Sequence, residues 1–173
     1  MLCFAVLFAA CGPNVKEFDG FVAAMKSSSQ DCKTAQADLE VKDGGVVVYG
    51  YTRKLERTDS GFRVTETERK LNDEFVLGES VTTSEVSSGK DAAALPVNLT
   101  QESVSDCTIE DGVLKGTITS SAAMSAVLGT QKFAMNGTAA LECKLVKKKI
   151  AEINLSYQTT DGKLVTVKIV YSY

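Results

Sequence analysis

A chain of 173 residues with 44% hydrophobic content is long and apolar enough to bury the core of one domain. Its 19 Lys and Arg stand against 22 Asp and Glu, so it lacks the basic excess that neutralising many phosphates requires, and nucleic acid is excluded as an expected partner. Histidine is absent, which removes imidazole as general base, proton shuttle or metal ligand. No metal site and no cofactor is predicted, and the expected class is non-enzymatic.

Residues 1–10, Met-Leu-Cys-Phe-Ala-Val-Leu-Phe-Ala-Ala, carry no charged side chain and end in two small residues before Cys11. This reads as a signal peptide, too short for a bilayer core that needs about 20 apolar residues. Leu7 to Gly12 resembles the lipobox of bacterial lipoproteins. The resemblance implies lipidation at Cys11, a single lipid-anchored domain over 11–173, and an extracytoplasmic place at a cell membrane or cell surface. A buried N-terminal strand or helix with a chance cysteine, and an ordinary secretory signal, are the alternatives.

Val15, Phe18, Phe21, Val22 and Met25 fall at helical spacing. They predict an amphipathic helix of about three turns, capped by Asn14 with Glu17 and ended by Ser27-Ser28-Ser29. The helix is expected to cover a core rather than to lie on a membrane.

From Val46 the period becomes two: Val47, Tyr49, Tyr51, Arg53 and Leu55 alternate with smaller or polar residues. A two-residue turn at Asp59-Ser60 sets Arg53 opposite Glu66, Glu56 opposite Arg63, and Leu55 opposite Val64. Residues 80–106 are rich in Ser, Thr, Ala, Gly and Asp and read as a partly structured crossing between two β halves. Asp111-Gly112 then turns a second hairpin with Ile109 opposite Leu114, and residues 120–128 suggest one or two helical turns.

In the last forty residues Phe133, Met135, Gly137, Ala139, Leu141, Cys143 and Leu145 share odd parity. One strand about 40 Å long is expected, bulged at Gly137; a hairpin at Asn136-Gly137 is the alternative. Lys147-Lys148-Lys149 turns the chain as a solvated hairpin end, or as a contact with anionic lipid. Ala151, Ile153, Leu155 and Tyr157 form the next apolar row, and Val165, Val167, Ile169, Tyr171 and Tyr173 the last. Joining odd rows requires an odd loop, which Thr160-Asp161-Gly162 supplies with Gly162 in the left-handed position. Tyr157 should then face Val165, and Ile153 should face Ile169.

Cys32, Cys107 and Cys143 remain beyond the leader and anchor, and match no metal-binding spacing. They read as small buried hydrophobes, with a Cys107–Cys143 disulfide as the alternative.

The predicted fold is mainly β: a curved antiparallel sheet, half-barrel or sandwich, with one N-terminal amphipathic helix. Lipobox, short helix and long strands with an apolar inner face together resemble the LolA/LolB/LppX group of lipid and lipoprotein carriers. The resemblance implies a passive apolar wall for a lipid or acyl chain. Its lining would comprise Phe133, Met135, Leu141 and Ile153, together with Leu155, Tyr157, Val167 and Ile169. The alternative is a structural or protein-interaction module with a filled core, meeting another envelope protein or a host protein.

Overall fold

The computed structural model describes residues 15–72, 74–87, 97, 99–128 and 133–173. The predicted signal peptide, Cys11 and the Asn14 cap lie outside the described residues.

Helix α1, Val15–Asp31, buries Phe18, Phe21, Ala24 and Ser28, a spacing of three and four that forms one stripe. It runs through the serine triplet expected to end it. Ser28 Oγ donates to the Ala24 carbonyl at 2.6 Å and Ser27 Oγ to the same carbonyl at 3.1 Å, so these hydroxyls bond back onto the preceding turn instead of interrupting the helix.

Nine strands follow: β1 Thr34–Asp43, β2 Val46–Thr58, β3 Gly61–Leu71, β4 Leu77–Val86, β5 Ser105–Glu110, β6 Val113–Ile118, β7 Met135–Val146, β8 Lys149–Thr159 and β9 Leu164–Ser172. A short helix α2, Ser121–Leu128, joins β6 to β7. The strands form a single antiparallel sheet in the order β4-β3-β2-β1-β9-β8-β7-β6-β5, with β4 and β5 left unjoined, so the sheet is open and is not a sandwich. Its middle seam joins β1 to β9, from Thr34 opposite Ser172 to Lys42 opposite Leu164.

The sheet curls. Tyr49 on β2 and Phe133 just before β7 are separated by four strand spacings, about 19 Å in a flat sheet. Their ring centroids are 5.3 Å apart. Only a strongly curved layer brings them together.

Opposed residues share a face, so one row can be followed across eight strands: Glu66, Arg53, Ala37, Ile169, Ile153, Cys143, Leu114 and Ile109. The row runs from charged on β3 and β2 to apolar on all the rest. From β1 to β7 this inner face is buried, with α1 packed over β8 and α2 over β7.

Turn chemistry and parity set the hairpin registers as the sequence predicts. Arg53 meets Glu66, Glu56 meets Arg63 and Leu55 meets Val64. Ile109 meets Leu114, Tyr157 meets Val165, and Ile153 meets Ile169. Gly162 adopts a φ of 81°, the left-handed conformation its three-residue loop demands. β7 passes through Asn136-Gly137 as one strand, with its register shifted between Asn136 and Ala139.

Two further bulges correct the parity reading. Val41 pairs with Tyr49 but Lys42 pairs with Val47, which makes Val48 the extra residue and moves Val47 to the outer face. Leu145 pairs with Ile150 while Lys144 pairs with Glu152, so Ala151 is the extra residue and Ile150 turns into the core, fully buried. In both places a local insertion overrides strict alternation.

The Cys107–Cys143 bridge does not form: both are buried thiols. Strand β6 lies between β5, which carries Cys107, and β7, which carries Cys143. Two strand spacings are about 9.6 Å, beyond the roughly 7 Å limit for Cα atoms of a disulfide.

Candidate functional site

At the end of the curl where β1 finishes and β9 begins, the inner face opens into a hollow of about 650 Å³. Its apolar wall is Val41, Val48, Tyr49, Leu71 and Phe133; Glu68, Lys70, Asp161 and Lys163 stand at its rim. The bulge at Val48 brings two consecutive side chains, Val48 and Tyr49, against the core side. Tyr49 tilts at 50° to the Phe133 ring, an aromatic pair that forms one flank.

Phe133 is held from behind. The buried Tyr157 hydroxyl donates to the Phe133 carbonyl at 3.1 Å, and burial pushes the Tyr157 phenol up to about 12. The turn beside it is also fixed: Thr159 Oγ1 donates to Asp161 Oδ1 at 2.5 Å, and Lys163 Nζ contacts Asp161 Oδ2 at 2.7 Å. The Lys163 ammonium, then the Thr159 hydroxyl, hold the Asp161 carboxyl below its usual range.

Deeper along β2 and β3 the inner face carries a polar cluster. Tyr51 Oη donates to Glu66 Oε1 at 2.5 Å, and Arg53 Nη1 reaches the same oxygen at 2.7 Å. Burial, and then the hydrogen bond to Glu66, push the Tyr51 phenol up to about 12. The inner face is therefore amphipathic: a charged strip on β2 and β3 beside an apolar field on β1 and β9 to β7.

The eight side chains predicted as ligand wall all belong to the inner side of the sheet, but they divide. Phe133 lines the hollow. Met135, Leu141, Ile153, Leu155, Tyr157, Val167 and Ile169 are each at most 5% exposed and pack in the core. Val41, Val48, Tyr49, Leu71 and Lys70 were not anticipated as lining. Tyr49 and Val41 carried the alternation that could have signalled an inner face, but only the curl brings them to Phe133.

A second hollow, about 690 Å³, lies on the outer face as a trough across β6, β7, β8, β9 and β1. Small residues, Gly116, Ala140, Ser156 and Thr166, form its middle, and charged residues flank it. Lys115 pairs with Glu142 at 3.7 Å and Lys168 with Glu152 at 3.4 Å, the pattern of a solvated sheet face. It has no aromatic wall, so the inner hollow is the better ligand site.

Among the described residues no group of three or more Cys, Asp or Glu side chains is placed to hold a metal ion, and no helix is long and apolar enough to cross a membrane.

No protein-family model matches the chain, and no curated protein matches it. Solved structures with some similarity include a redesigned β-barrel, mFAP1, bound to DFHBI, at 11% identity, covering 83% of this chain and 97% of that one with a TM-score of 0.26. Another is the CurJ dehydratase in complex with Compound 21, at 9% identity, covering 90% of this chain and 79% of that one with a TM-score of 0.23. At such scores neither bears on what this chain does.

Proposed function

We propose that this protein is a non-enzymatic binding module that takes an apolar ligand, a lipid or acyl chain, into the hollow at the open end of its curled sheet. The observation that carries the reading is the hollow itself. At about 650 Å³ it falls within the usual range of small-molecule pockets, and the Tyr49–Phe133 pair gives it an apolar flank. The lipobox-like run from Leu7 to Cys11 supports a lipid anchor and an extracytoplasmic setting at a membrane.

Native mass spectrometry of the purified protein tests this. The expected spectrum shows a one-to-one adduct with a small apolar molecule, either carried through purification or taken up when added. Phe133→Asp should lose the adduct while keeping the native charge-state distribution. A bare mass under both conditions overturns the reading.

One observation favours a second reading, a structural or interaction module of the cell envelope. Seven of the eight predicted wall residues are packed side chains, so most of the interior is filled. A bare mass, together with retention of envelope or host proteins that Phe133→Asp does not disturb, would select it.

A further inference from the structure

Among the described residues, the rim of the hollow carries four charged side chains, and they are not equivalent. Asp161 and Lys163 neutralise each other at 2.7 Å. Glu68 is engaged in an interaction of its own. Lys70 makes no ion pair among the described residues. It sits directly opposite Tyr49 in the β2–β3 ladder, so its side chain rises from the inner face beside the aromatic flank.

We propose that the occupant is a single-chain amphiphile with an anionic end. Its apolar chain lies along Val41, Val48, Tyr49 and Phe133, and its carboxylate or phosphate rests at Lys70. This rests on the binding reading above and adds the charge and orientation of the ligand. The physical argument is one of complementarity. A cation without a counter-charge beside an apolar wall attracts an anion tethered to an apolar chain, since burial of the chain holds the anion near the ammonium. A cationic end finds neither rim carboxylate vacant. Lys70 is exposed, so its contribution is the modest one of a solvent-accessible pair, about a five-fold preference, and it weakens with salt.

Titration calorimetry with dodecanoate, dodecyl phosphate, dodecanol and dodecylammonium, each below its micelle concentration at pH 8 and low ionic strength, tests this on the full chain. Inorganic phosphate alone is the fifth ligand. Dodecanoate and dodecyl phosphate are expected to bind about five-fold more tightly than dodecanol, and dodecylammonium more weakly than any of them. Lys70→Gln should erase the difference, bringing dodecanoate and dodecyl phosphate to the same affinity as dodecanol in that variant. Lys168→Gln, which removes the same charge from the outer face, should preserve it. Inorganic phosphate should not bind measurably, because the anion is held through its chain.

Equal binding of dodecanol and dodecanoate, or an acid preference that survives Lys70→Gln, overturns the anionic end and leaves the hollow as an apolar site. Phosphate binding without a chain would also overturn it, by showing an anion site independent of the apolar wall. Failure of every amphiphile to bind removes the hollow as a ligand site and the proposed function with it.

Discussion

Tyr51 and Arg53 converge on one oxygen of Glu66, on the inner face of the sheet. Burying such groups is costly unless they are paired, and here the phenol and the Arg53 Nη1 share one carboxylate oxygen while Arg53 Nε is buried without a hydrogen bond. The phenols of Tyr51 and Tyr157 are both pushed up to about 12, chiefly by burial. In the unfolded chain a tyrosine ionises near 10. The native state therefore favours the protonated phenols: their contribution to stability is complete below about pH 10 and is lost as pH rises from there to about 12. The urea midpoint should stay flat up to pH 9 and fall between pH 10 and 12, with a shallower fall in Tyr51→Phe. Leu55, fully buried between Ala35 and Val64, tests packing. Leu55→Ala is expected to cost about 2–5 kcal/mol in urea unfolding, against under about 0.5 kcal/mol for Val81→Ala on exposed β4.

The hairpins show which elements were legible in the sequence. Asp59-Ser60, Asp111-Gly112 and Thr160-Asp161-Gly162 each combine a turn of fixed length with apolar parity on both sides, and together these leave one register. Two strands lacked such a signal. β1 sits at the centre of the sheet, but its inner positions begin with Ala35 and Ala37, too small to stand out beside a helix that continues to Asp31. β4 is exposed on both faces, so nothing imposes a hydrophobic period on its Ser- and Thr-rich sequence. Gly61 shows how closely it docks: a Cβ there would lie 2.2 Å from the Val86 carbonyl oxygen. The β7–β8 turn is recognisable for a different reason. Lys147 and Lys148 adopt φ values of 52° and 63°, a conformation that favours Asn-Gly and strains other side chains. Replacing them together, Lys147→Asn with Lys148→Gly, is expected to stabilise the protein by about 1 kcal/mol in thermal or urea unfolding.

At the scale of the molecule, the candidate site was only partly legible. Phe133 could be assigned to the apolar face from its parity, but its contact with Tyr49 depends on curvature accumulated over four strand spacings, which no local pattern encodes. The same long-range geometry governs assembly. The β1–β9 seam joins Thr34 to Ser172, partners separated by most of the chain, while each neighbouring ladder is built from sequence-adjacent strands. Without that seam, β4-β3-β2-β1 and β9-β8-β7-β6-β5 are separate ribbons of four and five strands, each with greasy side chains bared along its inner side. Refolding followed by stopped-flow fluorescence of the tyrosines should be slow for a chain this size, in the millisecond-to-second range, because loop closure precedes the contacts that reward it. A chain ending at Gly162 should scatter light rather than settle as a stable half. Cohesion thus depends on one long-range stitch, and any state that lacks it bares both ribbons to whatever sticky surface is nearest.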